Sequence, residues 1–169
     1  MNAIQEAQSG VPLRQVARSV KFFVQALCGR DIAIQELPES EQLNKRTARA
    51  RVSQDGRTLY LPSLIRRHAD RDLNVRAYTV MAAHEAGHLE FGTYDLDLGS
   101  LEDLTAAVAW RYGRVAEPSI ESLAGLFRLY PQPGLMRDLW TILEDARVES
   151  RLRVHYPGLS EDLSAVARD

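Results

Sequence analysis

Leu73-Asn74-Val75-Arg76-Ala77-Tyr78-Thr79-Val80-Met81-Ala82-Ala83-His84-Glu85-Ala86-Gly87-His88 is the stretch on which the reading of this chain turns. It holds no proline, and Gly87 is its first glycine, so nothing interrupts a helix before Gly92. Asp72 or Asn74 can cap its start, and Gly92 can end it in the left-handed conformation. Residues four apart share one helix face, so the imidazoles of His84 and His88 can reach a single Zn²⁺ while Glu85 points at the water that metal would hold. Ala82, Ala83, Ala86 and Gly87 are small, which lets other backbone pack closely around such a helix. The bland alternative is a pair of histidines satisfying ordinary hydrogen bonds. It leaves the acid next to the first histidine without a purpose.

A catalytic zinc takes three protein ligands and keeps a fourth position for water. A compact third-histidine pattern would need glycine at 91 and histidine at 94, where this chain has Phe91 and Tyr94. The expected third ligand is therefore a carboxylate on a later helix, within Leu143-Glu144-Asp145-Ala146-Arg147-Val148-Glu149. Leu139, Ile142, Leu143 and Ala146 are read there as a buried stripe with Glu144 at its edge. Glu144 is the preferred ligand, and Asp145, about 100° further round, is the runner-up. Arg147 lies three residues after Glu144 and can pair with a carboxylate to hold it in place. Among the remaining candidates, His155 and Tyr94 are read as oxyanion donors or proton carriers, and His68 as an exposed histidine.

The whole chain bounds these readings. Its 169 residues suffice for one domain with a real core, expected to span residues 1–169. With 45% hydrophobic and 26% charged residues and a net charge of −2, it offers no overall basic field for nucleic acid. Arg147, Arg151 and Arg153 alternate with Glu144, Asp145 and Glu149, as on an ion-paired helix face. The single cysteine, Cys28, excludes an internal disulfide and a cysteine-rich zinc site and favours a reducing compartment. No signal peptide and no membrane span are read, so the expected location is the cytoplasm.

Along the chain, Leu13, Val16, Ala17, Val20, Val24 and Leu27 follow helical spacing up to Gly29. Asp31 to Gln35 reads as a short strand and Pro38 to Thr47 as a loop. Arg51 to Leu61 reads as a hairpin turning at Asp55-Gly56. Together these predict a small antiparallel sheet of two or three strands, with everything after Pro62 helical. Ser100-Leu101-Glu102-Asp103 resembles a capping box opening a helix to about Tyr112. A further helix is expected from Pro118-Ser119 to about Tyr130, then a break at residues 131–134 and a long helix from Leu135 to His155. One more begins at Ser160. With no visible core partner for that last helix, the sequence reads as a piece of a longer protein.

His84 to Tyr94 (His-Glu-Ala-Gly-His-Leu-Glu-Phe-Gly-Thr-Tyr), Asp55 to Pro62 (Asp-Gly-Arg-Thr-Leu-Tyr-Leu-Pro), Leu143 to Glu149 and Tyr156-Pro157-Gly158-Leu159 together resemble the nitric oxide reductase activation protein family, the NorD/CbbO group. That resemblance implies a metallopeptidase-like N-terminal region, commonly followed by a von Willebrand factor A domain that is missing here. It also implies a MoxR-type AAA+ ATPase as partner in activating a target enzyme.

The expectation is thus an α+β, mainly helical, zincin-like fold and a gluzincin-like zinc metallopeptidase. His84, His88 and Glu144 would bind Zn²⁺, and Glu85 would act as general base on water attacking a peptide carbonyl. Thr58 to Leu61 is read as either a peptide-docking sheet edge or a core strand. The rival reading is a non-proteolytic adaptor that keeps the metal and joins an ATPase to its target.

Overall fold

A computed structural model describes residues 9–42, 49–53, 55–114 and 122–167. The chain is mainly helical with a small amount of sheet, and it divides into two compact units: residues 1–91 with 148–169, and residues 92–147.

In the first unit, Val11–Pro12 (β1) leads directly into Leu13–Cys28 (α1), which buries Leu13, Val16, Val20, Val24, Leu27 and Cys28 along one stripe. Gly29 ends this helix at φ 67°, a left-handed conformation that glycine adopts without steric cost. Ala33–Glu36 (β2) follows, starting two residues later than its alternation predicts, with Ile32 fully buried just ahead of it. Glu39–Gln42 (α2) is a single helical turn, and the rest of the expected loop to Thr47 lies largely outside the described residues.

Arg51–Val52 (β3) and Thr58–Leu61 (β4) form the expected hairpin, pairing Arg51 with Tyr60 and Val52 with Leu59. The all-antiparallel expectation fails at β2, which runs parallel to β4 with Ala33 opposite Thr58 and Glu36 opposite Leu61. The sheet is therefore mixed, in the order β2-β4-β3. A strand separated from its partner by a long connection carries no hairpin signal, so its direction is not encoded locally. Leu64–Ile65 (β5) also corrects the view that everything after Pro62 is helical, since it pairs antiparallel with β1.

Arg71–Glu90 (α3) is capped by Asp70, whose side chain accepts from the Asp72 amide, rather than by Asp72 or Asn74. Asn74 is fully buried instead. Its Oδ1 accepts from the amides of Arg67 (2.9 Å) and His68 (3.0 Å), and its Nδ2 donates to the carbonyls of Ser9 (3.0 Å) and His68 (2.8 Å). This pulls the 67–68 turn onto the helix, so His68 is 6% exposed, contrary to the expectation of an exposed histidine. Tyr78 is also buried, and its hydroxyl lies 3.1 Å from the Val11 carbonyl and 2.9 Å from that of Pro62. Burial raises the phenol's pKa above its ordinary value, so it stays a neutral donor to the β1 and β5 connections.

Ala77, Ala82, Ala83, Ala86 and Gly87 line the buried side of α3. A Cβ built on Gly87 would come within 2.8 Å of Val148 Cγ1, on Pro133–His155 (α6), and within 3.4 Å of Leu152. Gly87→Ala is therefore expected to destabilise the chain, the roughly 1–3 kcal/mol of overpacking outweighing about 1 kcal/mol of helix propensity gained. Urea unfolding measures the loss, and Gly87→Ala with Val148→Ala should recover part of it. A gain in stability for Gly87→Ala alone would contradict this packing.

After α6 come a short 3₁₀ turn, Pro157–Leu159, and Ser160–Ala167 (α7). The expectation that this last helix lacks a core partner is corrected. Leu159 and Leu163 are buried in the same core as α1 and α3, and Asp162 pairs with Arg76 at 3.3 Å.

The second unit contains a 3₁₀ turn, Gly99–Leu101, followed by Glu102–Arg111 (α4), Leu123–Arg128 (α5) and the first part of α6. Val108, Ala109, Leu126 and Leu129 form its small core. The capping box is not formed: the 3₁₀ turn takes Ser100 into the helical path, and its hydroxyl donates to the Asp97 carbonyl at 2.7 Å. Ser122 caps α5, while the expected start at Pro118-Ser119 lies outside the described residues. Helix α6 begins at Pro133, earlier than Leu135, because proline is tolerated at a first helical position where its missing N–H has no partner to lose.

Candidate metal centre

His84 and His88 project from adjacent turns of α3, with ring centroids 4.9 Å apart at 80°. Their Nε2 atoms converge to 3.2 Å. Two imidazole nitrogens bound tetrahedrally to one Zn²⁺ at ordinary Zn–N lengths stand about 3.3 Å apart, so the pair already has the bite of a metal-binding pair. His88 is 8% exposed and His84 is half-buried, a setting that limits competition from water.

Glu85 lies on the next position of the helix, and its Oε2 accepts a hydrogen bond from the Val52 amide at 3.2 Å. Alternation explains why that amide faces it. Ser53 donates to the Thr58 carbonyl, so in the antiparallel ladder residues 51 and 53 turn their backbone groups toward β4 and Val52 turns its own away. Among the described residues β3 is an edge strand and β4 the central one. Of the two readings of Thr58 to Leu61, the core strand is therefore the one observed, with Leu59 and Leu61 fully buried. The edge beside Glu85 belongs to Arg51 and Val52.

Glu144, in the second unit, is 8% exposed. Its carboxylate is gripped at both oxygens by Arg147, with Nε to Oε2 at 2.7 Å and Nη2 to Oε1 at 2.5 Å, and the Thr93 hydroxyl donates to Oε1 at 2.5 Å. These bonds raise the Arg147 pKa and keep the guanidinium charged, and they offset the cost of burying the carboxylate. The expected apolar stripe beside it is corrected: Leu139, Ile142 and Leu143 are 45%, 64% and 69% exposed. Leu143 and Glu144 are about 100° apart on the helix, so the face that buries the bonded carboxylate turns the leucine outward. Asp145 is half-buried on the following position.

The other candidates are spread more widely. Tyr94 is 61% exposed in the turn that follows Gly92. His155 ends α6, exposed, with its ring edge-on to Phe91 at 5.4 Å. It borders an apolar hollow of about 500 Å³ with Phe23, Leu27, Tyr156 and Leu159. The sequence reading did not find the Val52 amide or the Thr93 hydroxyl. The Asp55-Gly56 turn signal was the only clue to Val52, since it sets the register that turns this amide outward.

No helix among the described residues is long and apolar enough to cross a membrane. Comparison of the chain with protein-family models, with curated proteins and with solved structures returned no match.

Proposed function

We propose that this chain is a zinc-dependent peptide hydrolase in which His84, His88 and Asp145 hold the metal and Glu85 is the general base. The observation that carries the proposal is the 3.2 Å convergence of the His84 and His88 Nε2 atoms on a helix whose next residue, Glu85, is held by a sheet-edge amide. A bound Zn²⁺ would supply a Lewis acid and a more acidic water. Glu85 would accept the proton of that water and pass it to the leaving amine. The Val52 amide donates to one carboxylate oxygen of Glu85 and so orders the base beside the two imidazoles.

The choice of Asp145 follows from the chemistry of the donor set. His84, His88 and Asp145 supply the two imidazole nitrogens and one carboxylate oxygen that such an ion takes. Glu144 already accepts from Arg147 and Thr93, and its role is to order this turn of α6.

Zinc affinity by competition with a chromophoric chelator tests the assignment. Asp145→Ala is expected to weaken binding by about 100-fold or more, and Glu144→Ala by about tenfold, as an ordering residue would. The reverse order would move the ligand role to Glu144, and full affinity in both variants would remove this helix from the site.

One observation favours a second reading, a metal-bearing adaptor. Leu135, Leu139, Ile142 and Leu143 lie within about 100° of arc on α6 and are all at least 45% exposed, a contiguous apolar face of the kind that marks protein partners.

A further inference from the structure

We propose that the outer edge of β3 takes up an extended acidic peptide, with a peptide carbonyl replacing Glu85 on the Val52 amide and peptide carboxylates meeting Arg49 and Arg51. The proposal rests on the peptidase reading of the site and names its substrate class.

The main-chain part follows from the ladder. Val52 turns its N–H and C=O away from β4, and its N–H is engaged by Glu85 Oε2 at 3.2 Å. A strand adding to this edge needs that donor, since edge pairing proceeds through outward N–H and C=O groups in turn. Docking therefore takes the Val52 amide from Glu85 Oε2 at the moment a peptide bond lies beside the carboxylate. The base is held until the substrate is in place.

The side-chain part follows from charge. Residues 49–57 carry Arg49, Arg51 and Arg57 against Asp55 alone, in a chain whose net charge is −2. Asp55 is turned inward on its own loop, accepting from the Ser53 hydroxyl and the Arg57 amide. Arg49 is exposed. Arg51 lies over the Tyr60 ring at 4.5 Å, bonded to Glu41 at 2.9 Å, with its side chain 43% exposed. The stacking and the Glu41 pair fix the guanidinium's position without covering it. An incoming peptide thus meets cations along β3, and the one acid bonded to the Val52 amide, Glu85 on α3, must give that amide up. Acidic side chains are the ones such an edge retains.

Fluorescence polarisation with the chelator-treated full chain tests this without turnover, using three labelled ten-residue peptides that alternate threonine with glutamate, serine or lysine. The glutamate peptide is expected to bind about tenfold tighter than the serine peptide and the lysine peptide weakest, with the preference lost at high salt. Arg49→Glu should reduce the preference by about fivefold or more, because it reverses an exposed charge beside the edge. Val52→Pro should weaken all three peptides, since it removes an outward donor while sparing the β4 ladder. Melting curves of both variants confirm the fold. Equal affinity for the three peptides, no binding by any, or binding indifferent to either substitution would overturn the proposal. Zinc content measured on the same preparations separates the two readings. A chain that binds glutamate peptides but no zinc loses the peptidase reading and keeps this edge, and one that binds zinc but no peptide does the reverse.

Discussion

Glu85→Gln is expected to lower peptide hydrolysis by about 10²–10⁴-fold, the loss that follows removal of a positioned general base, with zinc content and thermal stability unchanged. The substitution is nearly isosteric, and the amide oxygen of glutamine can still accept from the Val52 N–H that holds Glu85 at 3.2 Å. Only the capacity to take a proton is lost. The same variant separates peptidase from adaptor, because an adaptor has no use for a base. In an assay with a MoxR-type ATPase and its target, the adaptor reading expects full activation by the Glu85→Gln form. No hydrolysis by the unaltered chain, combined with undiminished activation by this variant, would sink the peptidase proposal.

The double substitution His84→Ala with His88→Ala is expected to take the zinc content from about one per chain to near zero, because it removes two of three ligands. The two Nε2 atoms lie 3.2 Å apart, and the double substitution removes both. His88 is 8% exposed, and removing it leaves space in α3 that lowers stability. His84 is less buried, so His84→Ala alone provides a variant that keeps the fold while breaking the pair. Metal analysis after purification without chelator reads both. Full occupancy in the double variant would place the metal elsewhere in the chain.

Much of the local structure was legible in the residues themselves. The α1 stripe, the Gly29 stop, the β3–β4 hairpin and the α3 helix through His84 and His88 each rest on contacts within one element or one turn, where period and turn chemistry act directly. The misses have one cause. The parallel β2, the extra pair β1–β5, the buried His68 and the outward Leu139-Ile142-Leu143 face all depend on partners distant in the chain. Periodicity marks which residues of a helix share a face. It does not say whether that face meets protein or water, and on α6 the bonded carboxylate of Glu144 was the group turned inward.

The sequence by itself determined that two imidazoles four residues apart share one face of a helix with an acid between them, because the pitch of an α-helix leaves that spacing no other outcome. It also determined the Asp55-Gly56 turn, where Gly56 takes φ 69° as a left-handed position favours. Tertiary structure alone decided what surrounds the pair. The contact of Gly87 with Val148 sets the register of α6 against α3, and the mixed order β2-β4-β3 leaves Val52 on the edge with its amide on Glu85. The Thr93 hydroxyl reaches Glu144 from 51 positions away in the chain, a contact that helix spacing could not show. These pairings join segments tens of residues apart, and their free energy comes from desolvation and hydrogen bonds that exist only once the chain has closed on itself.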